Sequence, residues 1–140
     1  MILYLDTSSL VKLYVEESGS NLVDRLVNSS RIIATSIVAY AEARAAFARR
    51  HREKSLSAIH YDHVKQELRQ DWPNYCVVQA HQDVVLGAGD LAEKYALRGF
   101  DAIHLASAVA LKSTASSVIF SAFDVRLQQA AGQEGLLDSA

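Results

Sequence analysis

Short apolar runs rich in strand-forming residues alternate along this chain with longer stretches of helical periodicity. The runs predicted to form strands are Ile2 to Leu5, Ile32 to Thr35, Tyr75 to Val78 and Val118 to Phe120, with a short edge strand at Leu136 and Leu137. Because helical stretches separate these runs, we expect parallel pairing through right-handed crossovers, with helices on both faces. The pattern predicts an α/β fold, a three-layer α/β/α sandwich with a central, mostly parallel sheet of about four to five strands.

The length and composition are those of one globular domain. The chain has 140 residues, 50% of them hydrophobic, and no linker or repeat interrupts it, so we expect one domain over residues 1–140. The opening segment MILYLDTSS lacks the basic start of a signal peptide, and no apolar run reaches the ~18 residues of a membrane span. The lone Cys76 excludes an intramolecular disulfide. These features predict a soluble, cytoplasmic protein.

Four acidic residues interrupt or border strongly apolar segments. Asp6 directly follows the first predicted strand, and Asp124 follows the fourth. Glu42 lies about two turns into the helix after the second strand, and Asp101 opens the helix that leads to the fourth. Ligands of open parallel sheets gather beyond the carboxyl ends of the strands. We therefore expect these four side chains to meet at that edge of the sheet.

Clustered carboxylates repel one another unless a cation lies among them. Hard divalent cations such as Mg²⁺ and Mn²⁺ prefer oxygen ligands, and Mg²⁺ takes only one or two carboxylates directly while keeping several waters. A metal held in this way lowers the pKa of bound water and neutralises charge on a phosphoryl oxygen. The acids therefore indicate metal-dependent hydrolysis of phosphodiesters.

Each acid also has a purely structural interpretation. Asp6, Asp101 and Asp124 are each placed to cap the N-terminus of a helix. Glu42 is compatible with an ordinary surface glutamate near a helix N-terminus. His104, one turn after Asp101, is interpreted as a core histidine, with contact at the edge of the site as the alternative. Only the joint placement of the acids favours a functional site.

A local basic stretch continues the helix that carries Glu42. Because the formal net charge is −2, affinity for a polyanion must come from a local patch or a bound metal. The candidate RNA-binding residues are Arg49, Arg50, Arg52 and Lys54. Such cations contact phosphates without specifying a base sequence. The alternative is a solvated helix end whose cations lie near the negative pole of the helix dipole.

Four segments, in this order, resemble those of PIN-domain ribonucleases, and more closely the VapC-type toxins of prokaryotic toxin–antitoxin pairs. The segments are YLDTSSLVKLYVEE, TSIVAYAEARAAFARR, LRGFDAIHLASAVAL and FSAFDVRLQQAA. The resemblance implies an endoribonuclease that depends on Mg²⁺ or Mn²⁺. Its first three acids map to Asp6, Glu42 and Asp101 and its fourth to Asp124, as catalytic and metal-binding residues. It also implies a homodimer that is inhibited by a cognate VapB-like antitoxin.

The sequence departs from this family at one position. Many members have Thr or Ser two residues before the fourth acid, where this chain has Ala122. The candidates for a supporting hydroxyl are Ser121, one residue earlier, and Ser8 near Asp6. The departure affects the number of metal ions expected, while the four acids are complete.

The leading hypothesis is a metal-dependent endoribonuclease, the toxin of a VapBC-type pair. The alternative is a noncatalytic PIN-fold module that binds RNA or protein; the intact set of acids argues against it. A phosphatase or receiver-like domain built on Asp6 is weaker, because the segment LDTSS lacks the second nearby aspartate of a haloacid-dehalogenase nucleophile motif.

Overall fold

The computed structural model describes residues 1–115 and 117–139, and within them it has five β-strands and seven α-helices. The strands are β1 (Ile2–Leu5), β2 (Ile32–Ser36), β3 (Cys76–Val78), β4 (Val118–Ser121) and β5 (Leu137–Asp138). The helices are α1 (Thr7–Lys12), α2 (Ser20–Asn28), α3 (Val38–Arg52), α4 (Ala58–Asp71), α5 (Gln82–Tyr95), α6 (Gly99–Lys112) and α7 (Val125–Gln133). A 3₁₀ turn over Trp72–Asn74 follows α4. In these parts of the chain no helix is long and apolar enough to cross a membrane.

The five strands form one sheet in the order β3-β2-β1-β4-β5, and every neighbouring pair is parallel. The strand β1 is central, with Ile2 opposite Ile32 on one side and Val118 on the other. The parallel α/β sandwich predicted from the sequence is confirmed. Because all the strands run the same way, their carboxyl ends meet at one edge of the sheet.

Alternation along β1 divides the core into two layers. Tyr4 packs with α6 and α7 on one face of the sheet, and Leu3 and Leu5 pack with α1 to α4 on the other. All four residues of β1 are buried. A strand buried on both faces is typical of parallel sheets covered by helices on each side. The residue that follows this strand therefore starts from a fixed position inside the fold.

The N-terminus of α6 differs from the sequence-based expectation. Asp101 was expected to cap this helix, but the helix begins at Gly99 and its N-cap is Arg98, which has an extended backbone. The amide of Ala102 donates to the carbonyl oxygen of Arg98 at 2.9 Å, so Asp101 lies inside the first turn. Its carboxylate accepts instead from the Arg98 guanidinium. The capping interpretation of Asp101 is therefore wrong.

Candidate functional site

A cavity of about 620 Å³ lies at the carboxyl end of the sheet. Its lining includes all four predicted acids, Asp6, Glu42, Asp101 and Asp124. A neighbouring cavity of about 500 Å³ shares Glu42 and Asp101 and adds the exposed ring of Phe100. Side chains from α1, α3, α6 and the start of α7 thus meet beyond β1 and β4.

Asp6 is the most deeply buried of these acids, with 4% of its surface exposed. It caps α1: its Oδ1 accepts from the amide of Ser9 at 2.9 Å and from the Ser8 hydroxyl at 2.7 Å. Burial raises the pKa of Asp6 above its usual value, the charge of Asp101 raises it further, and His104 and the two serines oppose the rise. The ionised form of Asp6 therefore lies where a nearby cation is favourable.

Glu42 is fixed by two hydrogen bonds on one oxygen. Its Oε1 accepts from Thr7 Oγ1 at 2.5 Å and lies 2.9 Å from Nε2 of His104. Burial alone would raise the pKa of Glu42, but the bonds from His104 and Thr7 outweigh it and hold the pKa below the usual value. Glu42 is therefore an ionised, oriented carboxylate and not a freely moving surface glutamate.

His104 connects this carboxylate to the core. Its side chain is 2% exposed; Nδ1 lies 2.8 Å from the Tyr4 hydroxyl, and Nε2 lies 3.0 Å from Thr7 Oγ1. Because an ionised carboxylate only accepts, Nε2 donates to Glu42, and Nδ1 is left to form the hydrogen bond with the Tyr4 hydroxyl. His104 is buried, as the core interpretation expects, and it also contacts the site, as the alternative interpretation expects.

Replacing His104 by alanine is expected to lower the free energy of unfolding by about 2–4 kcal/mol, because it leaves a cavity and removes the hydrogen bonds of the ring with Tyr4 and Glu42. Urea denaturation of the purified variant measures the change. The matched control is His63→Ala on α4, whose side chain is 65% exposed and whose removal is expected to change stability by less than about 0.5 kcal/mol. Equal effects of the two substitutions would contradict a structural role for the buried ring.

Asp101 and Asp124 are held differently from the other two acids. Asp101 Oδ2 accepts from Arg98 Nε at 3.2 Å across an ion pair. Asp124 is exposed and caps α7, with Oδ1 accepting from the amide of Leu127 at 2.9 Å. The capping interpretation of Asp124 is confirmed, and the cap uses one of its two carboxylate oxygens.

The predicted basic residues divide into two pairs. Arg49 and Arg50 line the larger cavity together with the acids. Arg52, the last residue of α3, and Lys54, just beyond it, are exposed and line neither of the two cavities described above. The two pairs differ in their position relative to the cavity, which the clustering of basic residues in the sequence does not reveal.

Three charged residues of the cavity were missed by the sequence analysis: Lys12, Glu17 and Arg98. Lys12 and Glu17 belong to the segment that begins with Asp6, and Arg98 lies three residues before Asp101. The signal that could have identified them as residues of the cavity was their closeness in sequence to two of the acids. Nothing in the spacing distinguishes them from solvated surface charges.

The two candidate hydroxyls have different surroundings. Ser8 donates directly to Asp6, as described above. Ser121 is fully buried, with its Oγ 2.8 Å from Ser9 Oγ and its carbonyl accepting from the Asp6 amide at 3.1 Å. Ala122 is also buried, with 1% exposed. Ser121 therefore supports the turn that presents Asp6, while Ser8 contacts the carboxylate itself.

The donor set of the site consists of carboxylate oxygens. Within residues 1–115 and 117–139, no group of three or more His, Cys, Asp or Glu side chains is arranged to hold a metal ion by itself. A hard divalent cation needs only one or two direct carboxylates when water completes its coordination. The buried Asp6 and the partly buried Asp101, which repel each other, fit such a cation by charge and by donor chemistry.

Comparisons with known proteins agree with this architecture. Residues 3–133 match the sequence profile of the PIN domain. The chain is 34% identical over 134 residues to "Ribonuclease VapC45" of Mycobacterium tuberculosis (strain CDC 1551 / Oshkosh), covering 96% of this chain and 92% of that protein.

Two solved structures show the same fold. One is the crystal structure of Mycobacterium tuberculosis VapC20, described as a "Sarcin-Ricin loop cleaving toxin", with a TM-score of 0.68, 17% identity and coverage of 96% of each chain. The other is a toxin–antitoxin complex from Klebsiella pneumoniae, with a TM-score of 0.59, 19% identity and coverage of 84% of this chain and 83% of that one. The resemblance seen in the four sequence segments is confirmed, and the chain belongs to the PIN domain family, as a member of its VapC type.

Proposed function

We propose that this chain is a single PIN domain that acts in the cytoplasm as a metal-dependent endoribonuclease, the toxin of a VapBC-type pair. The observation that carries the proposal is the meeting of four acids from distant parts of the sequence in one cavity. Two of them, Asp6 and Glu42, are fixed by hydrogen bonds before any ligand is present. A relative that matches most of the chain is named as a ribonuclease, which supports the same activity.

Asp6, Glu42, Asp101 and Asp124 would hold Mg²⁺, with Mn²⁺ as the alternative, directly or through water. Such a cation supplies an activated water and neutralises charge on the phosphodiester. The protein's own contribution is to orient the carboxylates. Ser8 and the Ser9 amide fix Asp6, and His104 and Thr7 fix Glu42. The exposed Asp124 is held by its helix cap.

The substrate is an RNA strand that approaches an acidic cavity rimmed by cations. Arg49 and Arg50 lie in the cavity wall and are placed to contact phosphates. Arg52 and Lys54, at the exposed end of α3, remain candidates for contacts with RNA outside the cavity. The natural partners are a VapB-like antitoxin that covers the acidic site and a second copy of this chain in a homodimer.

Incubating the purified protein with a mixed RNA pool tests this function. We expect endonucleolytic products with Mg²⁺ or Mn²⁺ and no products in EDTA. Expression in a bacterial host is expected to stop growth, and co-expression of the cognate antitoxin is expected to restore it. RNA that is bound but left intact in every metal would instead support the noncatalytic binding module. Light scattering on the eluting protein reports whether it is a dimer.

A further inference from the structure

A cluster of three charged side chains lies in the same cavity as the acids. Arg50 Nη2 donates to both oxygens of Glu17, at 2.9 Å and 3.2 Å, and Lys12 Nζ donates to Glu17 Oε1 at 3.2 Å. The side chains of Lys12, Glu17 and Arg50 are 13%, 27% and 27% exposed. These are partly buried contacts, and such pairs are screened by salt less than pairs on the open surface.

The cations of this cluster have restricted freedom. Lys12 Nζ lies 4.4 Å from the centroid of the Phe123 ring, in a cation–π contact. Gly19 has a φ of +95°, and a side chain there would meet Phe123 at 2.6 Å and Lys12 at 3.0 Å, so this glycine leaves space for both. Charged groups that are already ordered lose less entropy when a ligand binds them.

The cluster carries an excess of positive charge. Burial raises the pKa of Glu17, but Arg50 and Lys12 more than reverse this and hold the pKa below its usual value. Glu17 is therefore ionised at neutral pH, and two cations share one anion. The three side chains of this cluster therefore carry one net positive charge, beside the acids that line the same cavity.

We propose that Lys12 and Arg50, positioned by Glu17, form a binding subsite for a phosphate of the RNA backbone next to the one that is cleaved. The subsite rests on the proposed function, because the acids define where cleavage occurs. Lys12, Arg50 and the four acids line one continuous cavity, so an RNA strand with one phosphate at the acids has another within this wall. Recognition is of the polyanionic backbone and does not depend on the bases.

Three single variants test the subsite: Lys12→Gln, Arg50→Gln and, as a control, Arg31→Gln. Arg31 is exposed and precedes β2 at the amino edge of the sheet, opposite the cavity. The Arg31→Gln substitution removes one positive charge, as the other two substitutions do. We expect KM for RNA to rise about tenfold in the two subsite variants while kcat is unchanged. The slope of log(kcat/KM) against log[salt] should become shallower by about 0.7 in each, the contribution of one phosphate contact on a single strand.

A double variant, Glu17→Gln with Arg50→Gln, separates contact from net charge. It has the net charge of the wild type and removes the Glu17 carboxylate together with its arginine partner. We expect the slope of log(kcat/KM) against log[salt] to become at least as shallow in the double variant as in Arg50→Gln. A salt slope equal to that of the wild type would mean that total charge, not this subsite, attracts RNA. Circular dichroism melting curves show that each variant is folded.

Two failures are distinguishable in this experiment. If the wild type cleaves RNA and the subsite variants match Arg31→Gln in KM and slope, the subsite is wrong and the ribonuclease function stands. If the wild type cleaves no RNA with any divalent metal, the proposed function is wrong. Fluorescence anisotropy of a labelled single-stranded RNA then measures the same salt slopes without cleavage, and a shallower slope in the subsite variants would still support phosphate binding there.

Discussion

Asp6→Asn and Asp101→Asn are each expected to lower kcat/KM for RNA cleavage about a thousandfold or more while the protein remains folded. A thousandfold loss corresponds to about 4 kcal/mol of transition-state stabilisation, the scale on which a metal or its charge partner acts. Asparagine keeps an oxygen that can accept from the Ser9 amide, so the cap of α1 survives in Asp6→Asn. Each substitution removes the negative charge of the carboxylate and keeps the shape of the side chain, so the loss of activity measures the electrostatic role of that carboxylate.

The Asp6→Asn variant carries a second expectation, on stability. Because burial raises the pKa of Asp6 in the folded state, the protonated form stabilises the fold below the unfolded-state pKa, and this contribution is lost as pH rises through the folded-state pKa. At neutral pH without metal, the ionised carboxylate therefore destabilises the protein. We expect Asp6→Asn to melt at or above the wild-type temperature. A loss of activity that came from unfolding would be accompanied by a lower melting temperature.

The matched control for both substitutions is Asp24→Asn on α2, an exposed carboxylate outside the residues that line the cavity. It is expected to keep wild-type cleavage and stability. Full cleavage by a folded, purified Asp6→Asn or Asp101→Asn variant would contradict the assignment of the acids. Cleavage is followed on an end-labelled RNA so that trace contamination by exonucleases is visible.

Removal of divalent cations is expected to abolish cleavage, and their return to stabilise the fold. A ligand that binds only the folded state at 100 times its Kd adds about 2.7 kcal/mol to the free energy of unfolding. Mg²⁺ or Mn²⁺ should therefore raise the melting temperature of the wild type, because the cation relieves repulsion between Asp6 and Asp101. The measurement is a thermal melt in EDTA and after titration with each metal, with NaCl at matched ionic strength as the control.

The same melts on Asp6→Asn and Asp101→Asn show where the cation binds. Each variant lacks one of the repelling charges, so its melting temperature is expected to respond weakly to metal, while Asp24→Asn responds as the wild type does. An equal rise in all four proteins would place the metal elsewhere. Cleavage that persists in EDTA would exclude the metal-dependent reaction and leave the fold assignment untouched.

The strands and their parallel pairing were predictable because their signal is local, whereas the order of the strands in the sheet was not predicted. Short apolar runs separated by helical periodicity specify parallel strands, and the residue after each strand then lies at one edge. Asp6 and Asp124 were also recognisable as helix caps from the sequence alone, and both caps are present. Asp101 was misassigned because the N-cap of α6 is Arg98, three residues before Asp101.

The contacts that orient the site were not predictable because they join distant parts of the chain. His104 lies 62 residues from Glu42 and 100 residues from Tyr4, and no local period links these three. Glu17 is likewise 33 residues from Arg50. The close spacing of Arg and Lys residues identified a basic stretch. Which of these arginines lines the cavity depends on the orientation of α3 against the sheet.

The position of Asp6 after the central strand separates the site from the margins of the sheet. The strand β1 is paired on both sides, and the Asp6 amide itself donates to Ser121 at the end of β4. Fraying of the outer strands β3 and β5, which have one neighbour each, does not break these bonds. The outer strands β3 and β5 can therefore vary between relatives, or open transiently in one molecule, while the carboxylate of Asp6 keeps its position.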